Sequence, residues 1–124
     1  VAKNETDVTN KIMLALSPMG CVLWKNVRGM FLTLDGKRKV RAGIQAPGSS
    51  DLIGFKRMEI TQEHVGKFLP VLTVIEVKTL TPKTYPSHEQ KDFIDFVLEA
   101  GGYAGVARCP EDAIKIIQNY FDTK

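Results

Sequence analysis

Val71-Leu72-Thr73-Val74-Ile75-Glu76-Val77-Lys78 reads as a strand that is apolar until an acid and a base arrive at its end. Side chains alternate across a strand, so Leu72 and Val74 share a face with Glu76 and Lys78, while Val71, Ile75 and Val77 line the other. Apolarity on both faces predicts a central strand covered by helices, and open sheets bind ligands at the carboxyl ends of their strands. A second apolar strand, Ser50-Asp51-Leu52-Ile53-Gly54-Phe55, starts on an acid directly after the small-residue loop Ala46-Pro47-Gly48-Ser49-Ser50. Two carboxylates and an ammonium on an apolar sheet are costly to bury without a partner. A divalent cation is one such partner, and metal-assisted phosphodiester cleavage is a chemistry that uses it.

Working outward, the spacing predicts a helix over 4–19, with Val8, Ile12, Ala15, Leu16 and Met19 as its apolar stripe and Gly20 as its cap. A strand is predicted over 21–28. A hairpin pairs 30–34 with 40–43 around Asp35-Gly36. After the strand from Asp51 come a polar connection at 61–67 and the strand 71–79. The breaker-rich loop 81–87 follows, then an amphipathic helix over 87–100 stopped by Gly101-Gly102. A strand over 103–109 and a helix opening at Pro110-Glu111-Asp112 and running to Phe121 complete the chain. This order predicts an α/β fold, a mixed central β-sheet flanked by helices with a restriction-endonuclease-like core, in one domain spanning 1–124.

Composition sets bounds. A chain of 124 residues suffices for one domain with a real core, and 44% apolar with 25% charged residues is ordinary for a globular protein. There is no apolar run of membrane-spanning length and no charged-then-apolar leader. Cys21 and Cys109 have no CxxC or Cys/His spacing and fall in predicted strands, so buried free thiols in a reducing cytoplasm are expected. A net charge of +3 permits a nucleic-acid partner without demanding one. The two histidines lack any HExxH-like setting, and no GxxxxGK loop is present, which argues against zinc chemistry and ATP hydrolysis.

An acid, any residue, then Lys occurs four times: Asp35/Lys37, Glu76/Lys78, Glu89/Lys91 and Asp122/Lys124. The first falls in a turn, the third on a helix where residues two apart do not face each other, and the last in a terminal tail. Only Glu76/Lys78 lies on a strand. Two helices add polar residues on apolar faces. Gln90 shares its face with Phe93, Ile94 and Val97 and should point at the sheet, where a buried amide needs partners; Glu5 shares a face with Val8, Ile12 and Met19. Blander readings let Glu76 and Lys78 snorkel at a sheet edge or neutralise each other, and let Gln90 and Glu5 escape to solvent at a helix end.

An Asp, then Glu-x-Lys on the next apolar strand, then an inward Gln on the following helix resembles the PD-(D/E)xK nuclease superfamily. More narrowly, the chain resembles a stand-alone virus-type replication-repair nuclease (VRR-NUC) domain. The residues are Ser50-Asp51-Leu52-Ile53-Gly54-Phe55, Val74-Ile75-Glu76-Val77-Lys78-Thr79, Glu89-Gln90-Lys91-Asp92-Phe93 and Gly101-Gly102-Tyr103-Ala104-Gly105-Val106-Ala107. The family usually has Pro directly before the Asp; this chain has Ser50 there, with Pro47 upstream. The resemblance implies that Asp51, Glu76 and the backbone carbonyl of Val77 bind Mg²⁺ or Mn²⁺. Lys78 would deprotonate the attacking water or act as an electrostatic clamp, with Gln90 and Glu5 supporting the site. It further implies a metal-dependent DNA endonuclease active in repair or recombination and selective for branched or four-way-junction DNA. It would work as a homodimer in the cytoplasm of a bacterium or a phage-infected cell.

The densest basic run, Lys37-Arg38-Lys39-Val40-Arg41, either grips a phosphate backbone or is a solvated hairpin tip. Tyr85 and His88 either touch the substrate or belong to an ordinary surface loop, and Trp24 is expected in the core. The rival of another class is a non-catalytic nucleic-acid-binding module that retains the nuclease fold.

Overall fold

The computed structural model describes residues 4–118. The chain divides into two compact units, Val1–Met58 and Glu59–Lys124. The architecture is mixed α/β, as expected, and within each unit the strands pair two by two, antiparallel in the first and parallel in the second.

In the first unit, α1 (Glu5–Leu16) opens on Asn4, whose side chain accepts the Asp7 N–H, and closes through a short 3-10 turn onto Gly20 at φ 81°. The predicted stripe does not describe its buried side. Val8, Ile12 and Met19 stay more than 40% exposed, while Met13 and Leu16 are half-buried. β1 (Cys21–Lys25) pairs antiparallel with β4 (Leu52–Lys56), Leu23 opposite Gly54. A Cβ on Gly54 would fall on the Val22 carbonyl, so the close approach of these strands requires glycine. Trp24 is half-buried, its ring centre 5.9 Å from that of Phe55. β2 (Gly29–Leu32) and β3 (Lys39–Ala42) form the predicted hairpin. In its turn the Asp35 carboxylate accepts the Thr33 hydroxyl and the Lys37 N–H.

The second unit is a β-α-β-α arrangement. β5 (Thr73–Val77) and β6 (Tyr103–Ala107) pair parallel, Glu76 opposite Val106, and α2 (His88–Ala100) makes the crossover that parallel strands need. The core lies here: Val97 of α2 is fully buried, and Ala104 and Ala107 of β6 are nearly so. Small residues on β6 let helices approach closely. A Cβ on Gly105 would meet Ile116 of α3 (Pro110–Gln118) at 2.7 Å, and one on Gly102 would meet Val97 at 2.7 Å.

Two strand expectations are corrected. β5 is shorter than predicted and within its unit pairs with β6 alone; Val77, on its second face, is 74% exposed. β6 ends at Ala107, which leaves Cys109 exposed beyond it, while Cys21 is half-buried in β1; both thiols are free. The predicted last turn of α3, 119–121, lies outside the described residues. Among the described residues no helix is long and apolar enough to cross a membrane.

Candidate functional site

Ser87 caps α2 and is met by the third helical residue, Gln90. The Ser87 hydroxyl accepts the Gln90 N–H at 3.1 Å, and the Gln90 side-chain oxygen accepts the Ser87 N–H at 2.8 Å. With that oxygen occupied, the other end of the amide is directed away from the cap. Its Nε2 donates to Glu76 Oε1 on β5 at 2.9 Å. The same carboxylate oxygen lies 3.5 Å from Lys78 Nζ, as expected of residues two apart on one strand face. The side chains of Lys78 and Glu76 are 19% and 29% exposed, so this ion pair is better shielded than a surface one. Glu76 Oε2 has no hydrogen-bond partner among the described residues.

Glu76 and Gln90 border a cleft of about 370 Å³, whose apolar wall is made by Val74, Phe93 and Ile94. One oxygen of the Glu76 carboxylate is held by an amide and an ammonium, and the residue borders the cleft. Such a hard oxygen donor suits Mg²⁺ or Mn²⁺ better than it suits zinc. Within each unit, no group of three or more His, Cys, Asp and Glu side chains gathers around one point among the described residues.

The structure thus brings together Glu76, Lys78 and Gln90, with Val77 between the first two on the strand. Asp51 and Glu5 belong to the first unit. Asp51 is exposed immediately before β4, and its carbonyl accepts the Asn26 N–H at 2.8 Å. Glu5 is the exposed first residue of α1, its carbonyl accepting the Thr9 hydroxyl. The basic run Lys37, Arg38, Lys39 and Arg41 is exposed along the hairpin. The look-alike pair Asp35/Lys37 is a turn element: the Thr33 hydroxyl, then the Lys37 N–H, hold the Asp35 carboxyl below the ordinary carboxylate range. His88 sits 3.3 Å from Asp92 on the exposed side of α2.

Two sets of residues escaped the sequence reading. Asn26 ties the loop before Asp51: its Nδ2 donates to Ser49 Oγ (3.1 Å) and the Ser50 carbonyl (2.9 Å), and its Oδ1 accepts the Ile44 N–H. Arg108 follows β6 as Lys78 follows β5, and it reaches back to the Thr84 carbonyl. A cation placed directly after each of two parallel strands was the available signal for Arg108. Comparison of the chain with protein-family models, curated proteins and solved structures finds no match.

Proposed function

We propose that this protein is a metal-dependent endonuclease that hydrolyses phosphodiester bonds in DNA, with a preference for branched substrates such as four-way junctions. The observation that carries the reading is the Glu76 carboxylate, held by Gln90 and Lys78 at the carboxyl end of a parallel strand and bordering a cleft. A strand-end charge kept only for solubility needs no amide contributed by a neighbouring helix.

In this reading Glu76 and the Val77 carbonyl hold Mg²⁺ or Mn²⁺, and Asp51, on the resemblance alone, is a further ligand. The bound cation would acidify a water and screen the phosphate charge as the transition state forms. Gln90 would steady the carboxylate. Lys78, an ammonium 3.5 Å from that carboxylate, would steady negative charge on the phosphate, or, after giving up its own proton, would take one from the attacking water. The exposed cations of the 37–41 run supply salt-sensitive affinity for the backbone. A C2 homodimer is the simplest way for so small a chain to reach two symmetric strands.

The test is cleavage of labelled four-way-junction, flap, duplex and single-stranded DNA with Mg²⁺, Mn²⁺ or EDTA, beside Lys78→Ala and Glu76→Ala. Metal-dependent cutting lost in both variants is the expected result. Junction binding without cutting under any metal would replace the enzyme by a non-catalytic binding module.

A further inference from the structure

Beyond Glu76, the second unit carries two cations, Lys83 and Arg108, outside any side-chain ion pair among the described residues, although the Asp112 carboxylate accepts the Arg108 N–H and feels its charge. The Lys78 N–H donates to the Ala107 carbonyl at 3.1 Å, so Lys78 and Arg108 leave the sheet from adjacent strand ends. Lys78 is paired with Glu76, but among the described residues neither Arg108 nor Lys83 has a carboxylate within ion-pair distance. Arg108 is nonetheless fixed. Its Nη2 donates to the Thr84 carbonyl, and its guanidinium lies 5.5 Å from the centre of the Tyr85 ring. Lys83 Nζ is 5.5 Å from the same ring centre.

The loop carrying these groups is itself tied down. Thr84 N donates to the Thr79 carbonyl (3.1 Å), Thr79 N to Thr84 Oγ1 (2.9 Å), and Thr79 Oγ1 to the Pro82 carbonyl (2.6 Å). A rigid guanidinium is preorganised for a phosphate and loses little freedom on binding one. Tyr85, with both cations over its ring, is 66% exposed as a residue. An exposed aromatic ring beside unpaired cations is the chemistry that holds an unstacked nucleotide, with the ring on the base and the cations on its phosphate.

We propose that Lys83, Tyr85 and Arg108 form a platform for an unpaired nucleotide of a DNA strand. The proposal rests on the nuclease reading for its substrate, and it supplies a reason for preferring branch points, where bases unstack. A fully paired duplex would meet only the cations.

The experiment is fluorescence anisotropy in EDTA with a duplex bearing a short single-stranded flap and the same duplex fully paired. Wild type, Tyr85→Leu, Lys83→Gln and Arg108→Gln are compared, with thermal melts as a folding control. Tyr85→Leu should weaken flap binding by about five- to a hundredfold and leave the paired duplex unchanged. Lys83→Gln should lower the salt slope on the flap by about 0.7. Equal effects of Tyr85→Leu on both DNAs, or an unchanged slope in Lys83→Gln, would overturn the platform. If Arg108→Gln melts early, the two exposed positions decide alone. Wild type that cuts flaps while both variants bind normally would sink the platform and spare the nuclease. Flap binding sensitive to Tyr85, without cutting under any metal, would do the reverse, and no DNA binding at all would remove both.

Discussion

Gln90→Glu isolates the contact on which the candidate site depends. Glutamate keeps the oxygen that accepts the Ser87 N–H, so the capping box survives. What changes is the group 2.9 Å from Glu76 Oε1: an amide donor becomes a second carboxylate. Losing a hydrogen bond to a charged group costs about 1.5–3 kcal/mol, and the 29% exposure of Glu76 puts this one at the lower end. Two carboxylates about 4 Å apart at an effective dielectric of 20 repel by about 4 kcal/mol before side chains relax. Lys78 at 3.5 Å offsets part of this. A deficit of about 2–4 kcal/mol is therefore expected near pH 8.

In acid the folded variant can take up one proton between the two groups, and the neutral carboxyl then donates where the amide did. The folded variant binds a proton that the unfolded chain has already released, so its stability is restored as pH falls and lost as pH rises. Urea unfolding midpoints of wild type, Gln90→Glu and Gln90→Ala at about pH 5 and pH 8 measure this. Gln90→Glu should approach wild type at the lower pH, whereas Gln90→Ala, lacking the side-chain acceptor for the Ser87 N–H and the donor to Glu76, should stay destabilised at both. A Gln90→Glu deficit that is equal at the two pH values, or absent at the higher one, would refute the coupling.

Lys78→Ala should lower turnover by about 10²- to 10⁴-fold with DNA affinity little changed, read by single-turnover cleavage beside binding. Val97→Ala, which hollows the one fully buried large side chain among the described residues, should cost about 1–3 kcal/mol in a denaturant melt. Gly102→Ala would set a Cβ 2.7 Å from both the Leu72 carbonyl and Val97 Cγ1, and should destabilise by about 1–3 kcal/mol in the same assay. The Arg108 N–H holds the Asp112 carboxyl below its ordinary 3.8, so its contribution is present above that pH and fades as pH falls through the lowered value. NMR titration of the Asp112 carboxyl should show a midpoint under 3.8, and Arg108 N–H should lose its downfield shift in Asp112→Asn.

Much of the second unit was legible before any coordinates. The run of apolar residues into Glu76 marked β5, the amphipathic period over 87–100 with Gly101-Gly102 after it marked α2, and the same period put Gln90 on the inward face with Phe93 and Ile94. These signals are local: a cap, a turn or an alternation involves atoms a few residues apart, so the sequence states it directly. α1 shows the limit. Of its stripe of Val8, Ile12, Ala15, Leu16 and Met19, Leu16 is half-buried while Val8, Ile12 and Met19 stay exposed, because period says which residues share a face and not how much of that face finds a partner. Strand pairing is likewise a choice among distant segments. That Val77 lies opposite Ala107 in a parallel ladder, and that Arg108 then reaches Thr84 and Tyr85, follows from contacts across more than twenty residues of chain. The sequence alone determined which acids, bases and amides stand at the ends and inner faces of the elements, and tertiary structure alone decided which of them meet, since only closure of the loops between them brings those groups within a hydrogen bond's reach.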